Sequence, residues 1–358
     1  MKKLLNKFLK ETRSGRYFSC MKNKRRFKHI IRTELTQRLP YPVTEELVRL
    51  VFKDYAKVHS LYGARIDVDF FCGQLYRKSR LVWRESFATQ RRFAFRDKIQ
   101  ARGSWVIFQD KRVFYKEYAD FLHRKWMLAN ASTDVEQLKA FIGDCGGEVF
   151  VKVPVSDGGH GVSHCTMEDV AEIQQLIGSE DEVIMEERLV QCDEIAAFAP
   201  SSVNTLRVIT IVDGGGTVHI GAISLRMGGG EAVIDNYSSG GISALVDVES
   251  GVIFTPASNN SNKQYIFHPT TGKQIVGFKI PDIEGYKQFA LQLAARHPEM
   301  RYVGWDIMKN NKGEFCVVEG NKDAGTNTIE TQRLVGKLPY YRALAAGEDV
   351  TRYKELGY

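Results

Sequence analysis

Tyr302 to Asn321 reads Y-V-G-W-D-I-M-K-N-N-K-G-E-F-C-V-V-E-G-N. Two apolar runs flank Asn310-Asn311-Lys312-Gly313, a composition that supplies the positive backbone angles of a tight turn, so the segment is expected to fold as an antiparallel hairpin. With Asn310 paired to Gly313, Asp306 falls opposite Val317, and Glu319 is its diagonal neighbour on the same face. Asn321, two residues further on, adds a neutral oxygen to that side. Asp306, Glu319 and Asn321 then make an all-oxygen donor set suited to magnesium, which keeps several waters and completes its shell with phosphates. Two acids on a solvated surface hairpin are the plainer reading of the same residues. Trp305, Ile307, Val317 and Val318 weigh against it, because they mark a buried sheet in which unpaired carboxylates are costly without a cation. A metal here requires the rest of the chain to supply a phosphate cradle.

At 358 residues the chain has room for two or three packed units, and its composition is that of an ordinary globular protein. No apolar run reaches the roughly 18 to 20 residues needed to cross a bilayer, and Met1 to Lys10 is too charged for a secretory signal core, so a cytoplasmic protein is expected. The six cysteines lie far apart without a C-x-x-C pair, which fits reduced thiols rather than a disulfide framework or zinc ribbon. Charge is uneven. Residues 1–38 hold thirteen Lys or Arg against two acids, a local +11 in a chain of net +7, so the basicity belongs to this leader. Leu4, Leu5, Phe8 and Leu9 sit at helical spacing among Lys2, Lys3, Lys7 and Lys10, a pattern able to lie on an anionic membrane surface. A solvated helix packed on the domain fits equally well, and no nucleic-acid reader motif accompanies the charge.

Beyond Pro40 and Pro42 the pattern turns helical. Thr44 can cap a helix whose apolar stripe runs through Leu47, Val51, Tyr55 and Val58. Arg77, Lys78, Arg80, Arg84, Arg91, Arg92 and Arg96 either face an anionic substrate or form an exposed face, the commoner use of scattered charge. Trp105 to Phe108 reads as a short buried strand leading to Asp110, placed to cap a helix that runs to about Trp126. Lys111 then lies near a helix N-terminus, where amides and ammonium favour phosphate. Ser132 to Glu136 carries the capping box of the next helix.

Glu148 to Val162 is the second informative stretch. Val149, Phe150, Val151 and Val153 make a strand from which Lys152 emerges, and Ser156-Asp157-Gly158-Gly159-His160-Gly161 follows as a flexible loop whose amides can close on phosphate oxygens. It is neither a Walker loop nor a dinucleotide fingerprint. A hairpin turn with an exposed lysine is the bland alternative, but a lysine interrupting an apolar strand needs a partner. Val183 to Gln191 leaves a strand with Glu186 and Glu187 at its exit, able to present backbone groups to an adenine edge, with Asp193 near a ribose; an ordinary strand end explains it too. From Ser201 the chain reads as sheet, with Arg207 and Arg226 in consecutive strands, either forking onto phosphate or carboxylate oxygens or forming cross-strand ion pairs. Asp235 to Gly241 is a polar glycine turn whose amides can hold a second substrate.

In this order the pieces resemble the ATP-grasp superfamily, most closely its sugar-transfer-associated branch, over about residues 105–335. The resemblance rests on Lys111, Lys152 before the glycine loop, Glu186-Glu187, S-S-V-N-T-L-R at 201–207, D-N-Y-S-S-G-G at 235–241, and D-x12-E-x-N at Asp306, Glu319 and Asn321. It implies an α+β fold: a basic leader (1–38), a helical region (39–104), a subdomain with the lysines and glycine loop (105–195) and one with the metal site (196–358), their antiparallel sheets enclosing ATP. It also implies ATP and magnesium as cofactors, and a carboxylate-amine ligase that passes through an acyl phosphate and releases ADP. Arg207 and Lys152 are the implied catalytic residues. Lys111, Lys152, Ser156, Gly158, Gly159, Gly161, Glu186, Glu187 and Asp193 would bind the nucleotide. Asn204, Arg226, Asn236, Ser239, Gly240 and Gly241 would bind substrate, and Asp306, Glu319 and Asn321 the metal. The branch further implies that an amino acid or related acid is joined to a sugar or cell-envelope polysaccharide precursor, with no nucleic acid involved. A phosphotransferase on the same fold and a non-catalytic envelope-assembly factor are the alternatives.

Overall fold

A computed structural model describes residues 8–100, 103–156, 161–229, 240–325, 327–330 and 336–355. Its strands are β1 (Trp126–Asn130), β2 (Glu148–Lys152), β3 (Val162–Thr166), β4 (Glu182–Glu187), β5 (Thr205–Val212), β6 (Val218–Met227), β7 (Ile242–Val246), β8 (Ala257–Ser258), β9 (Gln264–Tyr265), β10 (Tyr302–Lys309) and β11 (Phe315–Asn321). They form two antiparallel sheets, one of four strands ordered β1-β4-β2-β3 and one of seven ordered β11-β10-β5-β6-β7-β8-β9.

β10 and β11 are the expected hairpin in a different register. The Asn310 amide donates to the Glu314 carbonyl at 2.9 Å, with Gly313 at φ +86°, so the turn is one residue longer than a pairing of Asn310 with Gly313 allows. A bulge then sets Val318 out of the ladder: Ile307 pairs with Val317, and Asp306 faces Glu319 directly instead of Val317. The longer turn and the bulge each shift the partners beyond them by one residue, and together they bring the two acids from a diagonal to an opposed position.

β5 and β10 are buried along nearly their whole length because both faces of the large sheet are covered. On one face Leu206, Val208, Val303, Trp305 and Ile307 pack under the helix Ile283–Arg296; on the other Ile209, Ile211 and Tyr302 meet Phe87, Phe95 and the helix Leu338–Ala346. The small sheet is backed by the helices Val135–Asp144 and Val170–Glu180 through Leu138, Ile142, Ile173 and Ile177. The capping box of the first of these is Asp134 with Gln137, so it starts inside the expected Ser132 to Glu136 window and ends one residue beyond it.

The amino-terminal region is helical, and Thr44 caps the helix Glu45–Tyr62 by accepting from the Leu47 amide. Residues 13–38 are not an appendage. Cys20, Ile31 and Leu35 are buried against Val48, Phe52 and Tyr55, and the Arg16 guanidinium donates to the carbonyls of His59 and Ser60. Arg13, Lys22, Lys24, Arg25 and Arg26 are on the outer surface of these helices, where Tyr17 and Phe18 are also exposed. No described helix is long and apolar enough to cross a membrane.

Trp105 to Phe108 is a 3-10 turn, Ser104–Phe108, not a strand. Its side chains close the core beneath β10 and β11. A Cβ added to Gly320 would lie 2.4 Å from the Phe108 ring and 3.0 Å from Trp305, so only glycine lets this turn seat against the strand between Glu319 and Asn321. Gly320→Ala is expected to lower stability by about 1–3 kcal/mol through overpacking. An unchanged urea midpoint would show that Phe108 gives way freely.

Candidate active site

On the large sheet the candidate residues cluster around Asp306. Arg207 and Glu319 are its ladder partners on either side, and Arg226 reaches in from β6. Asp306 is 3% exposed. Arg207 grips it with Nε at 2.5 Å from Oδ1 and Nη2 at 2.7 Å from Oδ2, while Nη1 of Arg226 lies 2.7 Å from Oδ2. Burial opposes its ionisation, but the two guanidinium groups outweigh burial and hold Asp306 well below the usual carboxylate range. Glu319 is perturbed in the opposite direction. Half of its side-chain surface stays accessible, yet the protein around it and the adjacent Asp306 carboxylate raise its pKa. Its Oε1 accepts from the Asn321 amide at 2.9 Å and lies 3.9 Å from Arg207.

This donor set fits a hard cation. The ligating atoms would all be oxygens, and a carboxyl group kept reluctant to ionise by a neighbouring carboxylate is what a divalent ion relieves. The described residues contain no group of three or more His, Cys, Asp or Glu able to hold a metal, so the set is two acids and an amide. Asp306 is already committed to two arginines, which leaves Glu319 as the carboxylate facing outward.

On the small sheet Lys152, at the end of β2, pairs with Glu186 of β4 and donates to the Tyr115 hydroxyl at 3.1 Å. Glu186 is 5% exposed and also accepts from Tyr115 and from Arg124 Nε at 2.6 Å. Burial works against its charge, but Arg124 and Lys152 prevail and hold it down at about 2. Lys152 is raised in turn, Glu186 overcoming the burial that works against the ammonium. Arg124 extends this buried group to the other sheet: Nη1 donates to the Val317 carbonyl at 2.8 Å, two residues before Glu319.

Lys111 stands beside Lys152 at the root of the glycine loop. Asp110 caps the helix Lys111–Glu117, and Lys111 Nζ lies 2.7 Å from the Ser156 carbonyl and 2.8 Å from its hydroxyl. Gly161, at φ +69°, closes the loop by accepting from the Val153 amide at 2.8 Å.

Other candidates are placed differently from their expected roles. The Glu186 side chain is the counter-ion of Lys152 and Arg124, and the Glu187 amide is spent on the Lys125 carbonyl. Asp193 is exposed at the start of a short helix, Asp193–Ala196. Asn204 is fully buried: its Nδ2 donates to Gln191 and to the carbonyls of Ile195 and Ala199, and its Oδ1 accepts from the Gly228 amide, so it anchors the entry to β5 instead of facing a substrate. Gly240, at φ +102°, has its carbonyl where a Cβ on Gly229 would fall, 1.9 Å away, so these two glycines close the base of a loop; Gly241 is buried next to it. Gly158, Gly159, Asn236 and Ser239 lie outside the described residues. Sequence reasoning missed Arg124 and Tyr115. The only signal for Arg124 is an arginine two residues ahead of an apolar strand, and for Tyr115 an aromatic inside an amphipathic helix.

A model of the sugar-transfer associated ATP-grasp family matches residues 90–338 of this chain. The chain belongs to that family. Among curated proteins no relative matches the chain. Solved structures similar to this ATP-grasp protein include the D-alanyl-alanine synthetase A of Vibrio cholerae O1 biovar eltor, at 12% identity and TM-score 0.43, covering 70% of this chain and 64% of that one. The D-alanine-D-alanine ligase of Coxiella burnetii follows at 10% identity and TM-score 0.41, covering 72% and 62%. The ATP-grasp ligase PsnB, complexed with minimal precursor, shows 16% identity and TM-score 0.41, covering 69% and 63%. The chain therefore spans less than two thirds of the length of each of these three.

The buried quartet of Lys152, Glu186, Arg124 and Tyr115 yields a stability test on this ATP-grasp protein. Glu186→Gln leaves two cations uncompensated and is expected to cost about 3–5 kcal/mol in urea unfolding at neutral pH. Because Glu186 is depressed from 4.5 to about 2, its contribution is complete above the ordinary carboxylate value and is lost as pH falls towards 2. The gap between wild type and variant should close over that window; a constant gap would contradict the pairing.

Proposed function

We propose that the chain is an ATP-dependent ligase that joins an amino acid or related acid to an amine on a sugar or cell-envelope polysaccharide precursor. The observation that supports this reading most is the Arg124 bridge, which ties Glu186 and its partner Lys152 on the small sheet to strand β11, the strand that carries Glu319. A triphosphate with its cation needs that combination, ammonium groups for the phosphate oxygens and carboxylates for the metal.

In this reading an oxygen of the carboxylate substrate attacks the γ-phosphorus of ATP, the bond to ADP breaks, and an acyl phosphate forms. The amine nitrogen then attacks the acyl carbon, phosphate leaves, and the amine gives up a proton to it. Lys111 and Lys152 neutralise charge on the nucleotide phosphates, and Arg207 lends its guanidinium to the phosphoryl group in transfer. Asp306, Glu319 and Asn321 would hold magnesium, which when bound spreads the charge that develops on the phosphate oxygens. In this reading the loop from Ser156 to Gly161 shields the acyl phosphate from water. No side chain acts as a nucleophile; positioning and electrostatics supply the rate. The basic outer face of helices Arg13–Lys22 and Lys24–Arg38, with Tyr17 52% and Phe18 66% exposed, supports contact with the anionic inner surface of a membrane.

Glu319→Ala is expected to abolish acceptor-dependent phosphate release while leaving the melting temperature nearly unchanged, since a half-exposed carboxylate is removed without opening a core cavity. The raised pKa of Glu319 makes protons compete with the metal, so the magnesium concentration needed for half-maximal rate should rise as pH falls. Lys152→Met should weaken ATP binding at least tenfold. Ordinary turnover by Glu319→Ala at limiting magnesium, or a phosphorylated product with no free phosphate, would remove the ligase reading. For the membrane contact, Lys24→Glu combined with Arg25→Glu and Arg26→Glu should release the protein from phosphatidylserine vesicles; equal binding would dispose of it.

A further inference from the structure

One arginine of the helical region is neither exposed nor paired. Arg92, on the helix Thr89–Ile99, is 7% exposed, and its Nε and Nη1 have no hydrogen-bond partner among the described residues. Its neighbour one turn on, Arg96, is equally buried but is held by Asp97 and Asp323 and lies over the Trp105 ring. Arg92 has only the Phe93 ring, 5.4 Å away, and the field of Asp69, whose oxygens are already taken by the amides of Arg65 and Thr89. A guanidinium withdrawn from water without acceptors is costly, and in a folded protein such a group calls for an anion.

Its position says where that anion would sit. Nη1 of Arg92 lies 3.9 Å from where a Cβ on Gly325 would stand, so the guanidinium faces the chain just after the hairpin that carries Glu319 and Asn321. The preceding residue, Ala324, packs on Gly304 alongside the Arg207 side chain, and its carbonyl accepts from the Tyr302 hydroxyl at 2.8 Å. Arg92 and Arg207 both act on that same hydroxyl. Two arginines therefore approach Tyr302 and Ala324 from separate parts of the chain. Arg207 is committed to Asp306, whereas Nε and Nη1 of Arg92 have no acceptor among the described residues.

We propose that Arg92 is an anion-binding residue for the second substrate, taking a carboxylate or phosphate group beside the Ala324–Gly325 backbone. This assignment rests on the ligase reading for the role of the ligand but not for its charge. A guanidinium with unpartnered N–H donors suits either oxyanion. The helical region thereby contributes directly to the site on the large sheet, and selects substrates with a negative charge close to the reacting group.

The test uses the full chain with its nucleotide site filled by magnesium and a non-hydrolysable ATP analogue. Sodium acetate or inorganic phosphate replaces chloride at constant ionic strength, and thermal unfolding is followed. Wild type should melt at rising temperature with at least one of these anions, acetate marking a carboxylate substrate and phosphate a phosphorylated one. Arg92→Met should bind that anion at least tenfold more weakly, and Arg92→Lys should recover part of the loss. In anion-free buffer Arg92→Met should melt no lower than wild type, because an unpaired buried charge has been removed. A lower melting temperature there would make Arg92 structural, and equal anion responses in both proteins would end the assignment. Failure of the ATP analogue to bind, with the anion difference intact, would instead overturn the ligase reading and leave the subsite standing.

Discussion

The ion pair of Glu186 with Lys152 and Arg124 is the constraint on which the arrangement of the two sheets depends. A carboxylate this deeply buried is tolerated only where cations and a hydroxyl saturate it, and here the saturating groups come from three places: β2, the helix Lys111–Glu117 and the segment entering β1. Arg124 then spends its remaining donors on the carbonyls of Leu122 and Val317. Through that last bond the lysine sheet is fixed to β11 by a charge-assisted contact at its centre, while Ile184 and the edges of Trp126 and Leu128 join the core under the large sheet. Such a buried network contributes little net stability over an apolar core but strongly favours a single geometry, since any other packing leaves a charge unpaired.

The large sheet shows the complementary device. Asp306 is neutralised by two arginines and stays ionised, and Glu319, opposed to it by a bulge, is left as the carboxyl group with the unfavourable surroundings. Two adjacent acids thus differ in role because their partners differ. One organises the arginines; the other faces outward, able to exchange a proton for a cation.

Much of this was legible along the chain. The hairpin followed from turn residues between apolar runs, Lys152 from a charge interrupting an apolar strand, Arg207 and Arg226 from their places in neighbouring strands, and the Glu45–Tyr62 helix from Thr44 and its stripe. Partners were not legible. Arg124 and Tyr115 lie 62 and 71 residues from Glu186, and local pattern carries no signal for a contact at that separation. The same limit explains why Asn204 was read as a substrate contact: its type and position suit either use, and only the carbonyls gathered around it decide.

What the sequence by itself determined is the set of elements and the chemistry available on them, because period, turn composition and residue type act within a few residues. The tertiary structure alone decided which charges neutralise one another and which are left over. The longer turn and the bulge at Val318 turned a diagonal pair of acids into an opposed one, Ser104–Phe108 became a turn packed against β11 in place of a strand, and Arg92 became an unpaired cation only when its helix was buried. Each depends on long-range packing and desolvation, which fix the energy of a side chain only once its distant neighbours are in place.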